Sequence, residues 1–261
     1  MQDSLIFDIG CHRGEDSDFY LKKGFRVIAV EANPALCGEL RQKFSDQIAD
    51  GSFVLVEKAI AEQAGEVEFF VNEKASIWGT IIPKMVKRNP YRSTKIVVPA
   101  ITFASLVEQF GIPYYLKIDI EGADLLCLEG LLPFCERPRF VSFEHDQEHL
   151  LALRVEMSLL KRLGYRKFQI IDQGSVRNQK PPYPAKEGKY FDSQIGSGSS
   201  GLFGKELPGP WLSRRSTIAR YLRIYVGNRL HGVTKRIPLL TRLARRSSGF
   251  WYDTHATLSE Q

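Results

Sequence analysis

The sequence predicts an α/β protein built on a doubly wound, mostly parallel sheet, with a basic helical C-terminal tail. Two features of the first 205 residues carry that reading, and a third sets the tail apart. Apolar runs bounded by turn residues alternate with stretches of helical period, as in a parallel sheet covered by helices. Most of those runs are apolar throughout, the mark of strands buried on both faces. The net charge of +6, in contrast, belongs to the end of the chain: residues 205–261 hold 11 basic and 3 acidic side chains, against 25 and 27 before them.

In order, Leu5 to Ile9 reads as a buried strand and Asp16 to Lys23 as a helix. Arg26 to Glu31 is the second strand, and Pro34, suited to a first helical position, opens a helix to Phe44. Phe53 to Ala59 gives a third strand. Glu66 to Val71 alternates like a half-exposed antiparallel strand, with Lys95 to Ile101 as its partner in an insert. Between them, Ala75 to Thr80 is a loop whose aromatic and hydroxyl groups suit a pocket or an ordinary surface turn. Thr102 caps a helix to Phe110. Tyr114 to Ile120 is the next strand, apolar except for Lys117 and Asp119, and the helix after Gly122 ends before Pro133. Phe140 to Phe143 is a strand, Glu148 to Leu163 a helix stopped by Gly164, and Lys167 to Ile171 a further strand. Gly174 to Ser200 reads as loop, and Leu202 to Gly204 as a last short strand.

With 261 residues, 43% of them hydrophobic, the chain can bury a full core, which excludes a disordered or fibrous protein. No apolar run reaches the roughly 18 residues of a membrane span, and the start lacks the pattern of a secretion signal, so the expected location is cytoplasmic. Cys11, Cys37, Cys127 and Cys135 form no Cys-x-x-Cys pair, which argues against a zinc cluster or a disulfide framework.

Asp8-Ile9-Gly10-Cys11-His12-Arg13-Gly14 lies between a strand and a helix, where a glycine loop can approach a nucleotide and offer backbone N–H groups. Glu31 ends the next strand, 17 residues after Gly14, placed to accept hydrogen bonds from both hydroxyls of a ribose. A nicotinamide cofactor fits less well, because His12 and Glu15 stand where its fingerprint has glycines.

Together with Val30-Glu31-Ala32-Asn33-Pro34 and Leu116-Lys117-Ile118-Asp119-Ile120-Glu121-Gly122-Ala123-Asp124, this loop resembles the FkbM-type S-adenosylmethionine-dependent methyltransferases, over about Leu5 to Ile171. The resemblance implies a class I methyltransferase (Rossmann-like) fold, S-adenosyl-L-methionine as cofactor, and O-methylation, often of sugars or natural products. It places the methionine part of the cofactor on the loop that contains Asp8, Gly10, His12 and Gly14, and the ribose on Glu31. It puts Asn33 and Ala59 near the adenosine and turns Asp119 toward the cofactor's amino group or sulfonium. The expected division is a methyltransferase domain at 1–205 and a basic extension at 206–261.

If their strand continues, Lys117, Asp119 and Glu121 share one face, and a strand buried on both faces rarely carries three charges without a use. Methyl transfer to an alcohol needs a base within hydrogen-bond reach of the hydroxyl. His145, in Glu144-His145-Asp146 after the next strand, is the first candidate, with Asp119 and Glu121 beside it. A divalent ion on Asp119, Glu121 and Asp146 is the other route to a more acidic hydroxyl, although no metal ligand is assigned. The expected acceptor is a small molecule or glycan. Nucleic acid is disfavoured, because Asp119-Ile120-Glu121-Gly122 stands where enzymes acting on base amines place an Asn or Asp, two prolines and an aromatic.

Between Trp211 and Tyr252 there are ten Lys or Arg and no Asp or Glu. Ile218, Tyr221, Leu222, Tyr225 and Val226 form one apolar helical face, and a second helix is expected after Pro238. Peripheral contact of residues 211–252 with an anionic membrane follows as an expectation. The alternative packs these helices on the domain with their arginines in water. The rival functional reading is a non-catalytic module that docks through the tail.

Overall fold

The computed structural model describes the chain apart from residues 1, 75, 88–91, 146–149, 193–194, 197, 235–250 and 259–261. The first half-layer runs β1 (Gln2–Ile9), α1 (Glu15–Lys22), β2 (Arg26–Val30), α2 (Pro34–Lys43), α3 (Ser45–Ala49) and β3 (Phe53–Val56). An insert follows: β4 (Ala59–Ile60), β5 (Gly65–Asn72), a 3-10 turn at Ser76–Trp78, α4 (Pro83–Val86) and β6 (Ser93–Ile101). The second half-layer is α5 (Phe103–Phe110), β7 (Pro113–Ile118), α6 (Asp124–Gly130), β8 (Phe140–Glu144), α7 (Leu150–Arg162) and β9 (Tyr165–Asp172). The last elements are β10 (Leu212–Ser213), α8 (Arg214–Thr234) and β11 (Tyr252–Leu258).

Eight strands form the main sheet in the order β10-β9-β11-β8-β7-β1-β2-β3, and β4, β6 and β5 form a small second sheet. Strands β3 to β8 pair in parallel through β2, β1 and β7. The strand direction that each side chain takes follows the period of two. Leu5, Phe7 and Ile9 of β1 face the cluster under α5, α6 and α7, while Ile6 faces the opposite core. The helix starts read from sequence hold: Asn33 accepts from the Ala35 N–H, and Thr102 from the Ser105 N–H.

Three expectations change. The predicted strand over Phe53 to Ala59 divides, because Ala59 leaves the main sheet to pair with Ala100 in the insert. Leu202 to Gly204 is not a strand: Phe203 stacks on Tyr115, with ring centroids 4.6 Å apart, and pins the segment to the core. The division at residue 205 also fails to describe the sheet. Tyr252–Leu258 lies antiparallel between β8 and β9, with Asp253 to Thr257 buried. Its polar residues concealed it in the sequence. Thr254 shares a 2.7 Å hydrogen bond with the Tyr221 hydroxyl, and Thr257 donates to the Arg139 carbonyl at 3.0 Å, so burial leaves these two hydroxyls paired.

The apolar face expected on α8 divides, because Leu222 and Val226 leave it for solvent. Tyr221 is buried, and Ile218, Ile224 and Tyr225 pack against the core. Arg215, Arg220, Leu222, Arg223 and Val226 face solvent. The helix continues to Thr234, through the stop predicted at Gly227-Asn228, and the second tail helix lies outside the described residues. No helix among the described residues is long and apolar enough to cross a membrane.

His255, at the centre of β11, is buried, and burial pushes its pKa down to about 3. The ring is neutral in both states above pH 6.5. As pH falls from there toward 3, the unfolded chain takes up the proton first and stability is lost. Between pH 7 and pH 5 the wild type is expected to lose about 2 kcal/mol more than His255→Leu, read from denaturant unfolding at both values.

Candidate active site

The carboxyl ends of β1, β2 and β7, with β8 beside them, open into one cavity of about 400 Å³. That is where the chain, having wound outward from β1 to β3, returns to start the other half of the sheet, so adjacent loops diverge and leave a crevice.

The loop after β1 is shaped by backbone geometry. Gly10 has φ 77°, and a Cβ there would overlap the Asp119 carbonyl oxygen, so only glycine lets this loop lie against the end of β7. The Gly10 and Cys11 N–H groups both point to the Val30 carbonyl, at 2.9 and 3.1 Å. His12 also has a positive φ, which turns its N–H onto Glu31 Oε2 at 3.0 Å. Glu31 Oε1 accepts from the Asn33 N–H at 2.8 Å. Burial raises the Glu31 pKa, while those two backbone donors act in the opposite direction.

Beneath the loop sits Lys117, a buried ammonium on β7. It donates to the Gly10 carbonyl at 3.2 Å and lies 3.3 Å from Asp8, 3.7 Å from Asp16 and 3.7 Å from Asp119. Burial alone would depress its pKa; Asp8, Asp119 and Asp16 overcome that and hold it well above the usual value. Asp8 also accepts from the Ser17 hydroxyl at 2.7 Å, and Asp16 accepts from the Ser200 N–H at 2.9 Å. These contacts bring the Gly198-Ser199-Ser200 segment to the cavity wall.

The insert supplies the roof. Thr80 exchanges backbone hydrogen bonds with Phe70, and its hydroxyl donates to the Glu121 carbonyl at 2.8 Å. The Ser76 hydroxyl is 2.8 Å from His12 Nε2. Trp78 therefore lines the cavity from the insert, and Trp251 lines it from the residue before β11.

At the other end of the cavity the strand β7 stops at Ile118, so Asp119 and Glu121 do not continue it as the sequence suggested. Glu121 has φ 48° and lies in a turn that Asp124 closes by accepting from the Gly122 N–H at 3.2 Å. Burial, then Asp119 and Asp124, push Glu121 up to about 8. Burial, then Asp119 and Glu121, push Glu144 up to about 10, and burial with Asp119 puts Asp124 at about 7. Carboxylate oxygens of Asp119, Glu121 and Glu144 lie within 4.8 Å of one another.

Of the residues read from sequence, Gly10, His12, Glu31, Ala59, Asp119 and Glu121 line the cavity. Asp8 lies behind it as a partner of Lys117 and Ser17. Gly14 turns inward, where a Cβ would meet the Phe44 ring, and Asn33 caps α2. His145 is the clearest departure. It is buried away from the cavity, with Nδ1 2.6 Å from Glu156 and Nε2 2.9 Å from the Tyr225 hydroxyl, so both ring nitrogens serve the packing of α7 and α8. Asp146 lies outside the described residues. Sequence reasoning passed over Asp16, Glu144, Ser199 and Ser200. The one available signal was Glu144 itself, a carboxylate at the end of a buried strand.

The family model of the methyltransferase FkbM domain matches residues 8–167, and the chain belongs to that family. It is a class I methyltransferase whose cofactor is S-adenosylmethionine. No curated protein matches the chain. Among solved structures it is similar to the precorrin-6y C5,15-methyltransferase of Geobacter metallireducens, at 15% identity over 66% of this chain and 68% of that one, with a TM-score of 0.39. It is also similar to a SAM-dependent methyltransferase of Archaeoglobus fulgidus, at 11% identity over 97% and 85%, again with a TM-score of 0.39. The family assignment rests on the match to residues 8–167. The cavity fits the cofactor: Val30, Ala32, Ala59 and Ile60 offer an apolar wall for a flat base, next to the buried carboxylate of Glu31.

Gly10→Ala is expected to weaken S-adenosylhomocysteine binding at least tenfold, because the added methyl forces the loop off β7. Calorimetric titration of the folded variant checks it.

Proposed function

We propose that this chain O-methylates a hydroxyl of a sugar, glycan precursor or other small natural product. The observation that carries the reading is the composition of one end of the cavity, where Asp119, Glu121 and Glu144 stand in the same wall as Trp78 and Trp251. Carboxylates accept hydrogen bonds from hydroxyl groups, and indole faces pack on the apolar faces of small rings. Both features suit a polyhydroxylated acceptor.

In this reading Glu31 holds the ribose hydroxyls, and Gly10 and His12 hold the methionine end of the cofactor. The cofactor brings a methyl group made electrophilic by its sulfonium. Lys117 fixes the loop against β7, so the bound methyl and the acceptor oxygen meet in a set geometry. Asp119 takes the proton of the acceptor hydroxyl as the oxygen–carbon bond forms, while Glu121 and Glu144 orient that hydroxyl. Trp78 and Trp251 cover the acceptor and keep water out. His145, committed to Glu156 and Tyr225, has no part in the transfer.

Among the described residues, contact with an anionic membrane stays in the proposal through α8's outward Arg215, Arg220 and Arg223 beside the exposed Leu222 and Val226, while Ile218, Tyr221 and Tyr225 are used by the domain. Their replacement by Gln is expected to abolish any sedimentation with vesicles containing phosphatidylserine; sedimentation equal to that of the wild type removes membrane contact from the proposal.

Titration with S-adenosylmethionine and S-adenosylhomocysteine comes first. Both are expected to bind, and Glu31→Ala to weaken them by about tenfold or more, the scale of a charged hydrogen-bond acceptor. In a screen of sugar acceptors by mass gain of a methyl group, Asp119→Asn is expected to lower kcat by about a hundredfold or more with S-adenosylhomocysteine affinity retained. His145→Gln is expected to lose stability and keep its rate. A folded wild type that binds neither compound overturns the proposal.

A further inference from the structure

We propose that Asp119, Glu121 and Glu144 form a site for one hard divalent cation, of the magnesium, manganese or calcium class, at the acceptor end of the cavity. The proposal deepens the methyl-transfer reading and rests on it for the use of the cation, though not for its binding.

Geometry is the first support. The three carboxylates come from the residue after β7, the turn that follows it, and the end of β8, and each offers an oxygen within 4.8 Å of the others. Calcium binds oxygen at about 2.3–2.6 Å, so its opposed ligands lie up to about 5 Å apart; magnesium and manganese draw theirs closer, to about 4 Å. Three oxygens on one ion lie closer together than an opposed pair, so the 4.8 Å limit admits each of these ions once the side chains rotate inward. Among the described residues, neither Glu121 nor Glu144 makes a side-chain hydrogen bond or ion pair.

Asp253 is the independent observation. It pairs with Glu144 across the β8–β11 ladder, so both side chains leave the same face of the sheet. Only 7% of it is exposed, and its carboxylate likewise makes no hydrogen bond or ion pair among the described residues. The charge that acts on it most strongly is Asp119. A carboxylate that deep, opposite Glu144 on the sheet, under the charge of Asp119 and lacking a donor, is costly unless a positive charge completes the group. Lys117 also acts on Asp253 but meets the need only in part, because its ammonium is already shared among Asp8, Asp16 and Asp119. Asp253 thus stands behind the cluster as an outer partner, placed to accept from water or to orient Glu144.

A cation on these three carboxylates would keep positions open toward Trp78 and Trp251, where an acceptor hydroxyl could bind and become more acidic. The chemistry involved is acid–base only: the hydroxyl proton leaves to a carboxylate or to water, and nothing is oxidised or reduced.

The test is titration of the chelator-treated full chain with manganese chloride, followed by loss of the free-ion EPR signal, in about 0.15 M salt to screen loose surface binding. One saturable site is expected. Glu121→Gln and Glu144→Gln should each weaken it at least tenfold, and Asp253→Asn by less. Every variant is also titrated with S-adenosylhomocysteine, whose retained binding shows that the fold and cofactor pocket survive. Saturable manganese binding lost in the glutamine variants supports the site even if S-adenosylhomocysteine fails to bind, an outcome that would sink the methyl-transfer reading alone. No saturable binding by a wild type that binds S-adenosylhomocysteine overturns the site and leaves the cluster to protons or to a cationic acceptor. Equal binding in all variants overturns it as well.

Discussion

One buried ammonium organises the active end of this protein. Lys117 lies in the interior on β7 and touches the Gly10 carbonyl, Asp8, Asp16 and Asp119. An ammonium removed from water is tolerated only when it is closely paired, so these groups have to converge wherever Lys117 is placed. The convergence fixes the loop after β1, the start of α1 and the end of β7 relative to one another. Through Asp16 it extends to Ser199 and Ser200, some 180 residues later, and gives a segment without regular structure a set place in the cavity wall. The same lysine leaves the acids beyond Asp119 uncompensated. Burial raises the pKa of Glu121, Glu144 and Asp253, and in each case Asp119 is the charge that adds most to it.

The cavity is enclosed by parts of the chain that lie far apart in sequence. The insert brings Trp78 and clamps itself down through Thr80 on Glu121 and Ser76 on His12. The end of the chain brings Trp251 and then enters the sheet. Because β11 pairs with both β8 and β9, the position of Trp251 is tied to the ladder that positions Glu144 and Asp253. The shape of this end of the cavity and the integrity of the sheet are therefore linked through this strand. His145 belongs to the same junction as a structural residue, joining α7 through Glu156 and α8 through Tyr225.

The glycine-loop end of the cavity was legible in the sequence and the carboxylate end only partly. Gly10, His12 and Glu31 stand beside their strands, where local turn geometry dictates what they can do. Asp119 and Glu121 were also visible, as charges in an apolar run, although the strand that was to align them ends at Ile118 and a turn delivers Glu121 instead. Glu144 and His145 show the limit of such reasoning. They are adjacent and both polar at a strand end; one faces the cavity and the other is buried under α8, and the period of two that separates them was clear only once the strand's last residue was known.

By itself the sequence determined the alternation of strands and helices, the parallel central strands, and the glycine loop with its acidic partner, because each depends on residues close together in the chain. Tertiary structure decided the rest. It placed Tyr252–Leu258 inside the sheet, a segment whose threonines and histidine look exposed until Tyr221 and the Arg139 carbonyl satisfy two of the hydroxyls. It spent Ile218, Tyr221 and Tyr225 of α8 on the core, and it gathered Asp119, Glu121, Glu144 and Asp253 from separate strands and turns. Which buried polar groups find partners depends on contacts between distant residues, and no local pattern in the chain records them.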